Sequence, residues 1–154
     1  MRDALHSLLA DQVIARNSKR QAEIIEFRSL LEPEIAALAA RNADEKDLAR
    51  LDAILNAQAP DQESDAMGDG EADQRFHLAL ARATKNEVIR ETVAVLHDLL
   101  RESRVPPLQS PERKRLSLQG HGRILAALQA RDPDAAREAM RAHLKDIESA
   151  ALKR

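Results

Sequence analysis

The stretch EIIEFRSLLEPEIAALAAR, residues 23–41, decides the fold. Its large apolar residues Ile24, Phe27, Leu31, Ile35 and Leu38 recur at steps of three and four. That spacing lines one face of a helix with 3.6 residues per turn. The helical pattern extends from about Arg20 to Arg41. Pro33 sits inside it and predicts a kink or local break, because proline lacks the N–H and its ring crowds the preceding turn.

The same period marks six further segments. Leu5, Leu8, Leu9, Val13 and Ile14 place a helix at about Asp3–Ala15, separate from the long one. Asp44, with Asp47 three residues on, caps a helix carrying Leu48, Leu51, Ile54 and Leu55. The segment APDQESDAMGDG, Ala59 to Gly70, is acidic and aperiodic and predicts a mobile loop. A fourth helix follows at about Glu71 to Thr84, and a fifth runs from an Asn86 cap to about Arg104 through Ile89, Val93, Leu96 and Leu100. Ser110–Pro111 and Asp132–Pro133 are N-cap and first-turn pairs for the last two. Helices joined by short turns, without strand signals, predict an all-α, antiparallel bundle of six to seven helices.

Composition narrows the function. A chain of 154 residues suits one domain with a real core. It carries 24 basic against 26 acidic residues, and its only aromatics are Phe27 and Phe76. A domain living on phosphate contacts shows a basic excess, and base stacking needs aromatic platforms, so direct DNA binding is disfavoured. The absence of cysteine excludes disulfides and thiolate ligands and is compatible with a reducing cytoplasm. No apolar run approaches the ~20 residues of a membrane span.

Three of the five histidines fall on inward-facing stripes. His121 replaces an aliphatic residue between Leu118 and Leu125, and His143 does so between Met140 and Ile147. His77 lies four residues after Asp73, one turn away on the same face. Convergence of Asp73, His77, His121 and His143 makes an O,N,N,N site, in which a divalent cation compensates an otherwise costly buried carboxylate. Spacing alone leaves a second reading open, since a lone histidine on an apolar face is ordinarily a satisfied core residue. His6 and His97 lack such company and are expected on the surface or in packing roles. There is no H-E-x-x-H, no Glu-x-x-His pair at these histidines, no G-x-S-x-G and no P-loop.

Four pieces in order resemble a known family: EFRSLLEPEIAALAA from Glu26, DQRFHLALARATKN from Asp73, RLSLQGHGRILAAL from Arg115 and RDPDAAREAMRAHL from Arg131. The chain is similar to the FadR C-terminal (FCD) effector-binding domain of GntR-type bacterial transcription regulators. The resemblance implies an FCD-like bundle at 19–154, preceded by a linker helix at 1–18, within a single effector-binding and dimerisation domain. It implies that Asp73, His77, His121 and His143 hold a divalent metal, Zn²⁺ first, with Ni²⁺ or Mn²⁺ also suited. A small carboxylate effector would bind beside the metal, with Arg28 and Asn86 as effector contacts. Capping explains Asn86 equally well, and a solvent-facing salt bridge would explain Arg28.

The resemblance further implies a non-enzymatic, cytoplasmic homodimer. It would reach DNA only through an N-terminal winged helix-turn-helix that this sequence, opening on MRDALHSLL, lacks. One position departs from the pattern: the residue before the third ligand is usually Glu and here is Gly120. Two alternatives stay open, a metal-dependent hydrolase-like enzyme using the cation as a Lewis acid and a closed bundle stapled by metal.

Overall fold

The structure, a computed structural model, describes residues 2–58, 69–103 and 111–152. Six helices are present among them: α1 (Arg2–Asn42), α2 (Glu45–Ala57), α3 (Asp69–Ala83), α4 (Glu87–Ser103), α5 (Pro111–Gln129) and α6 (Pro133–Leu152). No strand occurs among the described residues. Most of the acidic loop expected at 59–70, the proline-rich connection and the Ser110 cap lie outside the described residues.

Two expectations for the N-terminal half are corrected. The helices expected at Asp3–Ala15 and Arg20–Arg41 are one 41-residue helix. Neither Gly nor Pro occurs between Ala15 and Arg20, so nothing there terminates a helix already propagating. The helix also continues through Pro33 without a break. Proline there costs the one backbone hydrogen bond it cannot donate, and packing of the flanking turns against α6, α3 and α4 holds the helix together. The first turns of α1 carry Leu5, Leu8 and Leu9 exposed, and among the described side chains Ile24 is the first buried one on α1.

Caps fix the remaining ends. Asp44 Oδ1 accepts the Asp47 N–H at 2.8 Å, and Asp47 Oδ2 accepts the Asp44 N–H at 2.9 Å, closing a capping box on α2. Asn86 Oδ1 accepts the Ile89 N–H at 3.1 Å, and Asp132 Oδ1 accepts the Ala135 N–H at 3.1 Å. Arg131, with φ 55°, occupies the left-handed position between α5 and α6. The Asp132 N–H bonds Ala127 O and the Arg131 N–H bonds Leu128 O, both at 3.0 Å, which is a Schellman closure. Arg131 also donates through Nη1 to Ala43 O, tying this turn to the end of α1.

The core forms where α1, α5 and α6 meet α2 and α3. Ala36, Ala39, Ala40 and Ala43 give α1 a small-residue face against which Leu128, Met140 and Leu144 pack. Phe76 and Leu80 of α3 fill the centre with Ile124 and Leu125 of α5. A second cluster joins Ile24 of α1 to Leu96 and Leu100 of α4. Between these two apolar regions lies a band of buried polar side chains.

Candidate metal centre

Three helices deliver the four candidate ligands in that band. Asp73 and His77 come from α3, His121 from α5 and His143 from α6. Their ligand-capable atoms all lie within 4.8 Å of one another. His77 Nε2, His121 Nε2 and His143 Nε2 lie 3.2, 3.0 and 3.8 Å from Asp73 Oδ1. A tetrahedral cation with bonds of about 2.0–2.1 Å needs donor separations of about 3.3 Å. The observed distances straddle that value, so the four residues fit a small divalent ion.

The hydrogen bonding supports the same chemistry. Both ring nitrogens of His143 are buried without a hydrogen-bond partner, an arrangement costly to bury unless something binds there. His121 Nδ1 lies 3.0 Å from Gln58 Oε1. With Gln58 accepting there, neutral His121 turns the lone pair of Nε2 toward the Asp73 carboxylate. Two acceptors facing each other at 3.0 Å suit a cation between them. Phe76 stacks on His121 with ring centroids 4.0 Å apart and planes at 14°, fixing the ring's orientation.

Around the ligands lies a buried ionic network whose two charged members sequence patterning places elsewhere. Arg28 is 6% and Glu32 2% exposed. Arg28 is therefore not a solvent-facing salt bridge. Its Nε donates to Glu32 Oε2, and its Nη2 donates to Asp73 Oδ2 at 3.2 Å. Nη2 also lies 3.0 Å from His77 Nε2. Glu32 Oε1 lies 2.9 Å from His77 Nδ1, a short contact off the hydrogen-bond line, and 3.2 Å from His97 Nε2. His97 is thus no surface residue or isolated packing residue. It is buried and stacks near His77, with centroids 5.2 Å apart.

Glu32, His97 and Gln58 are the participants that sequence reading missed. Arg28 and Glu32 do carry an i,i+4 signal, and His97 continues the α4 stripe from Val93. Gln58 ends α2 without any local signature. Asn86, in contrast, is exposed at the α3–α4 turn, where its backbone N–H donates to Thr84 Oγ1 and its Oδ1 accepts the Ile89 N–H, away from the cluster.

Charge in the network is balanced by position. Burial would raise Asp73 and Glu32, but His77 and Arg28 hold both carboxyls well below their usual range. Burial would lower His77, yet Glu32 and Asp73 carry it above its ordinary value. Burial dominates elsewhere, pushing His121 down to about 3 and lowering His143 and His97. These three bind fewer protons folded than unfolded below about pH 6.5, so the unfolded state gains on acidification. His77 opposes them alone, and the carboxylates contribute only nearer pH 4. The metal-free melting temperature is expected to fall between pH 7 and pH 5, checked by thermal unfolding in chelator. A flat or rising profile would contradict the buried, neutral state of these rings.

Geometry and donor set define an all-α bundle with a buried carboxylate–imidazole centre adjoining a buried arginine. The FCD domain model matches residues 23–146. LutR of Bacillus subtilis, an HTH-type transcriptional regulator, is 35% identical over 134 residues, covering 82% of this chain and 59% of that protein. The Uxu operon transcriptional regulator of Escherichia coli is 34% identical over 144 residues, covering 84% and 53%. A solved structure described as Streptococcus agalactiae GntR superposes with TM-score 0.72 at 24% identity, over 86% of this chain and 59% of that one, and shows the shared fold. The chain belongs to the FCD domain family, and the GntR-type relatives it matches are transcriptional regulators rather than enzymes. It spans about half the length of the curated relatives it matches.

Proposed function

We propose that this chain is the sensing and dimerisation module of a transcriptional regulator. In this reading it binds a divalent metal through Asp73, His77, His121 and His143, and a small carboxylate effector beside it. The observation that carries the reading is His143, whose ring has two unpartnered nitrogens buried against three other ligand-type side chains. Zn²⁺ suits three imidazoles and a carboxylate, with Ni²⁺ and Mn²⁺ as alternatives of the same charge. The bound cation supplies Lewis acidity and charge for an acid to ligate.

Arg28 suits the second anchor. Its Nη1 makes no hydrogen bond to a described residue, while Nε and Nη2 are held. Asn86 has a narrower part, since its side-chain oxygen caps α4 and only its amide NH₂ is left to meet an effector. A winged helix-turn-helix elsewhere in the protein reads DNA, and the first part of α1, from Arg2 to about residue 18, links it to the bundle. Exposed apolar side chains on neighbouring helices, Phe27 and Leu30 of α1 with Val88 and Val95 of α4, support pairing with a second copy. The proposed compartment is the cytoplasm. Among the described residues, no helix is long and apolar enough to cross a membrane.

Metal analysis and thermal shift test the reading together. Chelator-stripped protein is expected to take up about one Zn²⁺ per chain, and Asp73→Ala and His143→Ala to lose it. Small mono-, di- or hydroxycarboxylic acids are expected to raise the melting temperature only with metal present. A ligand at 100 times its Kd stabilises by about 2.7 kcal/mol, or roughly 5–10 °C for a domain of this size. Undiminished metal in both variants would remove the site. Metal uptake with no acid response would favour the closed, stapled bundle.

A further inference from the structure

We infer that Glu32 is a positioning residue that fastens the metal ligands to the acid anchor, making cation and effector act on one rigid unit. This deepens the proposed function and rests on it. Glu32 is 2% exposed and lies outside the set of four, though with His77 and His97 it forms a second group of ligand-capable atoms within 4.8 Å of one another. Its two oxygens divide their work. Oε2 accepts from Arg28 Nε, while Oε1 faces His77 Nδ1 at 2.9 Å and His97 Nε2 at 3.2 Å.

The contacts close a circuit. Arg28 Nη2 donates to Asp73 Oδ2, leaving Oδ1 toward the three imidazoles. Arg28 Nε reaches Glu32, and Glu32 reaches His77 on the far side of its ring from Nε2. Asp73 Oδ1 and His77 Nε2, 3.2 Å apart, are the two ends of the loop. Asp73 is therefore held at its non-ligating oxygen, while His77 has a carboxylate close behind its non-ligating nitrogen, and one Arg–Glu pair serves both. Guanidinium only donates, so Arg28 against His77 Nε2 requires a lone pair there and places the ring proton on Nδ1, facing Glu32. That tautomer is the one a metal at Nε2 needs, the ion taking over the lone pair that Arg28 Nη2 faces in its absence, and a carboxylate behind a ligating imidazole raises its basicity.

The circuit gives the effector a lever. An acid bound at Arg28 Nη1 pulls on the guanidinium that orients Asp73 and, through Glu32, His77. Metal and acid are expected to raise each other's affinity by the same factor, since coupling between two sites is reciprocal. Glutamine at position 32 cannot serve both partners. Its single oxygen accepts on one side, and its NH₂ then confronts either a guanidinium or an imidazole N–H.

The test uses Glu32→Gln in the full chain. Imidazole ¹⁵N spectra of metal-free wild type at pH 8 are expected to show His77 protonated at Nδ1, and E32Q to lose that preference. Zn²⁺ titration against a chromophoric chelator is expected to give about 10–100-fold weaker binding in E32Q, with unchanged circular dichroism and an acid response no longer metal-dependent. Should E32Q not fold, His97→Phe, which removes the imidazole beside Glu32 Oε1, is expected to weaken Zn²⁺ binding in the same direction by less. Wild-type His77 protonated at Nε2, or a folded variant binding Zn²⁺ within about twofold of wild type, would overturn the inference. If wild type binds no Zn²⁺, the proposed function fails separately, and the metal-free spectra still decide: a His77 tautomer shifted in E32Q supports the circuit, and an unshifted one overturns it.

Discussion

Gly120→Ala is expected to weaken metal binding at least tenfold and to destabilise the fold, whereas Gly122→Ala, two residues on, is expected to stabilise it. An alanine Cβ at Gly120 would stand 2.3 Å from His143 Nδ1 and 2.8 Å from His143 Cγ. Those atoms belong to a buried ring that cannot swing aside, so α5 and α6 must part or His143 must leave its place. Forced overpacking of this kind costs about 1–3 kcal/mol. At Gly122 an added Cβ meets nothing within 4 Å. There alanine only relieves the helix-interior cost of glycine, about 0.8–1 kcal/mol, and raises the melting temperature by roughly 2–4 °C. Both variants gain the same helix propensity, so their difference isolates the contact with His143. Chemical unfolding and Zn²⁺ titration of the pair provide the measurement. Equal behaviour of the two would show that the close approach at Gly120 carries no weight.

The contrast also explains the departure from the family pattern at this position. A Glu before His121 is the usual residue in the resemblance, yet here the α5–α6 approach puts His143 where that Cβ would stand. The chain has given up a side chain beside the third ligand and gained close contact between the third and the fourth. Nothing local in LQGHGRIL reveals this, because the neighbour comes from another helix.

Legibility in the sequence followed the same division between local and distant causes. Helix starts at Asp44, Asn86 and Asp132 were readable because a cap is written within four residues of itself. The apolar seam of α1 is legible at Ile24 and Ile35, both buried, but only in part beyond them. Apolar periodicity selects Phe27 and Leu38, yet Phe27 is 48% exposed and Leu38 only partly buried. The buried line runs Ile24, Arg28, Glu32, Ile35 and Ala36, Ala39. Two charged residues sit in it because α3 and α4 bring Asp73, His77 and His97 to pair with them. A rule that assigns Arg and Glu to solvent fails where partners arrive from elsewhere in the chain. Three histidines on apolar stripes were visible for the complementary reason, since each interrupts a run of aliphatic residues at helical spacing. Spacing did not exclude satisfied core histidines. The unpartnered nitrogens of His143 and the 3.0–3.8 Å separations from Asp73 Oδ1 are three-dimensional facts that favour the metal reading.

Arg28→Met is expected to be among the most damaging single substitutions in the bundle, costing about 3–5 kcal/mol, because it leaves a buried carboxylate without its cation. Glu32 and Asp73 both receive Arg28 in the interior, and both are held well below the usual carboxylate range partly by its charge. Methionine matches the stem in volume but supplies no donor. Had Arg28 been a surface ion pair, the same change would cost under about 1 kcal/mol, so the size of the loss reads the burial directly. The double variant Arg28→Met/Glu32→Gln removes both charges of the pair together. It is expected to be more stable than the sum of its single changes by at least about 1 kcal/mol, since residues in one network do not add. Unfolding in urea, in chelator and again with saturating Zn²⁺, separates two contributions of Arg28. The metal-free experiment measures its neutralisation of Glu32 and Asp73, and the loaded one measures what remains once a divalent cation shares that task. A smaller penalty with Zn²⁺ bound is the expected outcome, because the ion supplies at Asp73 Oδ1 positive charge that partly replaces what Arg28 provides at Oδ2. An equal penalty in both would mean that arginine and metal serve separate parts of the band, with Glu32 alone depending on Arg28.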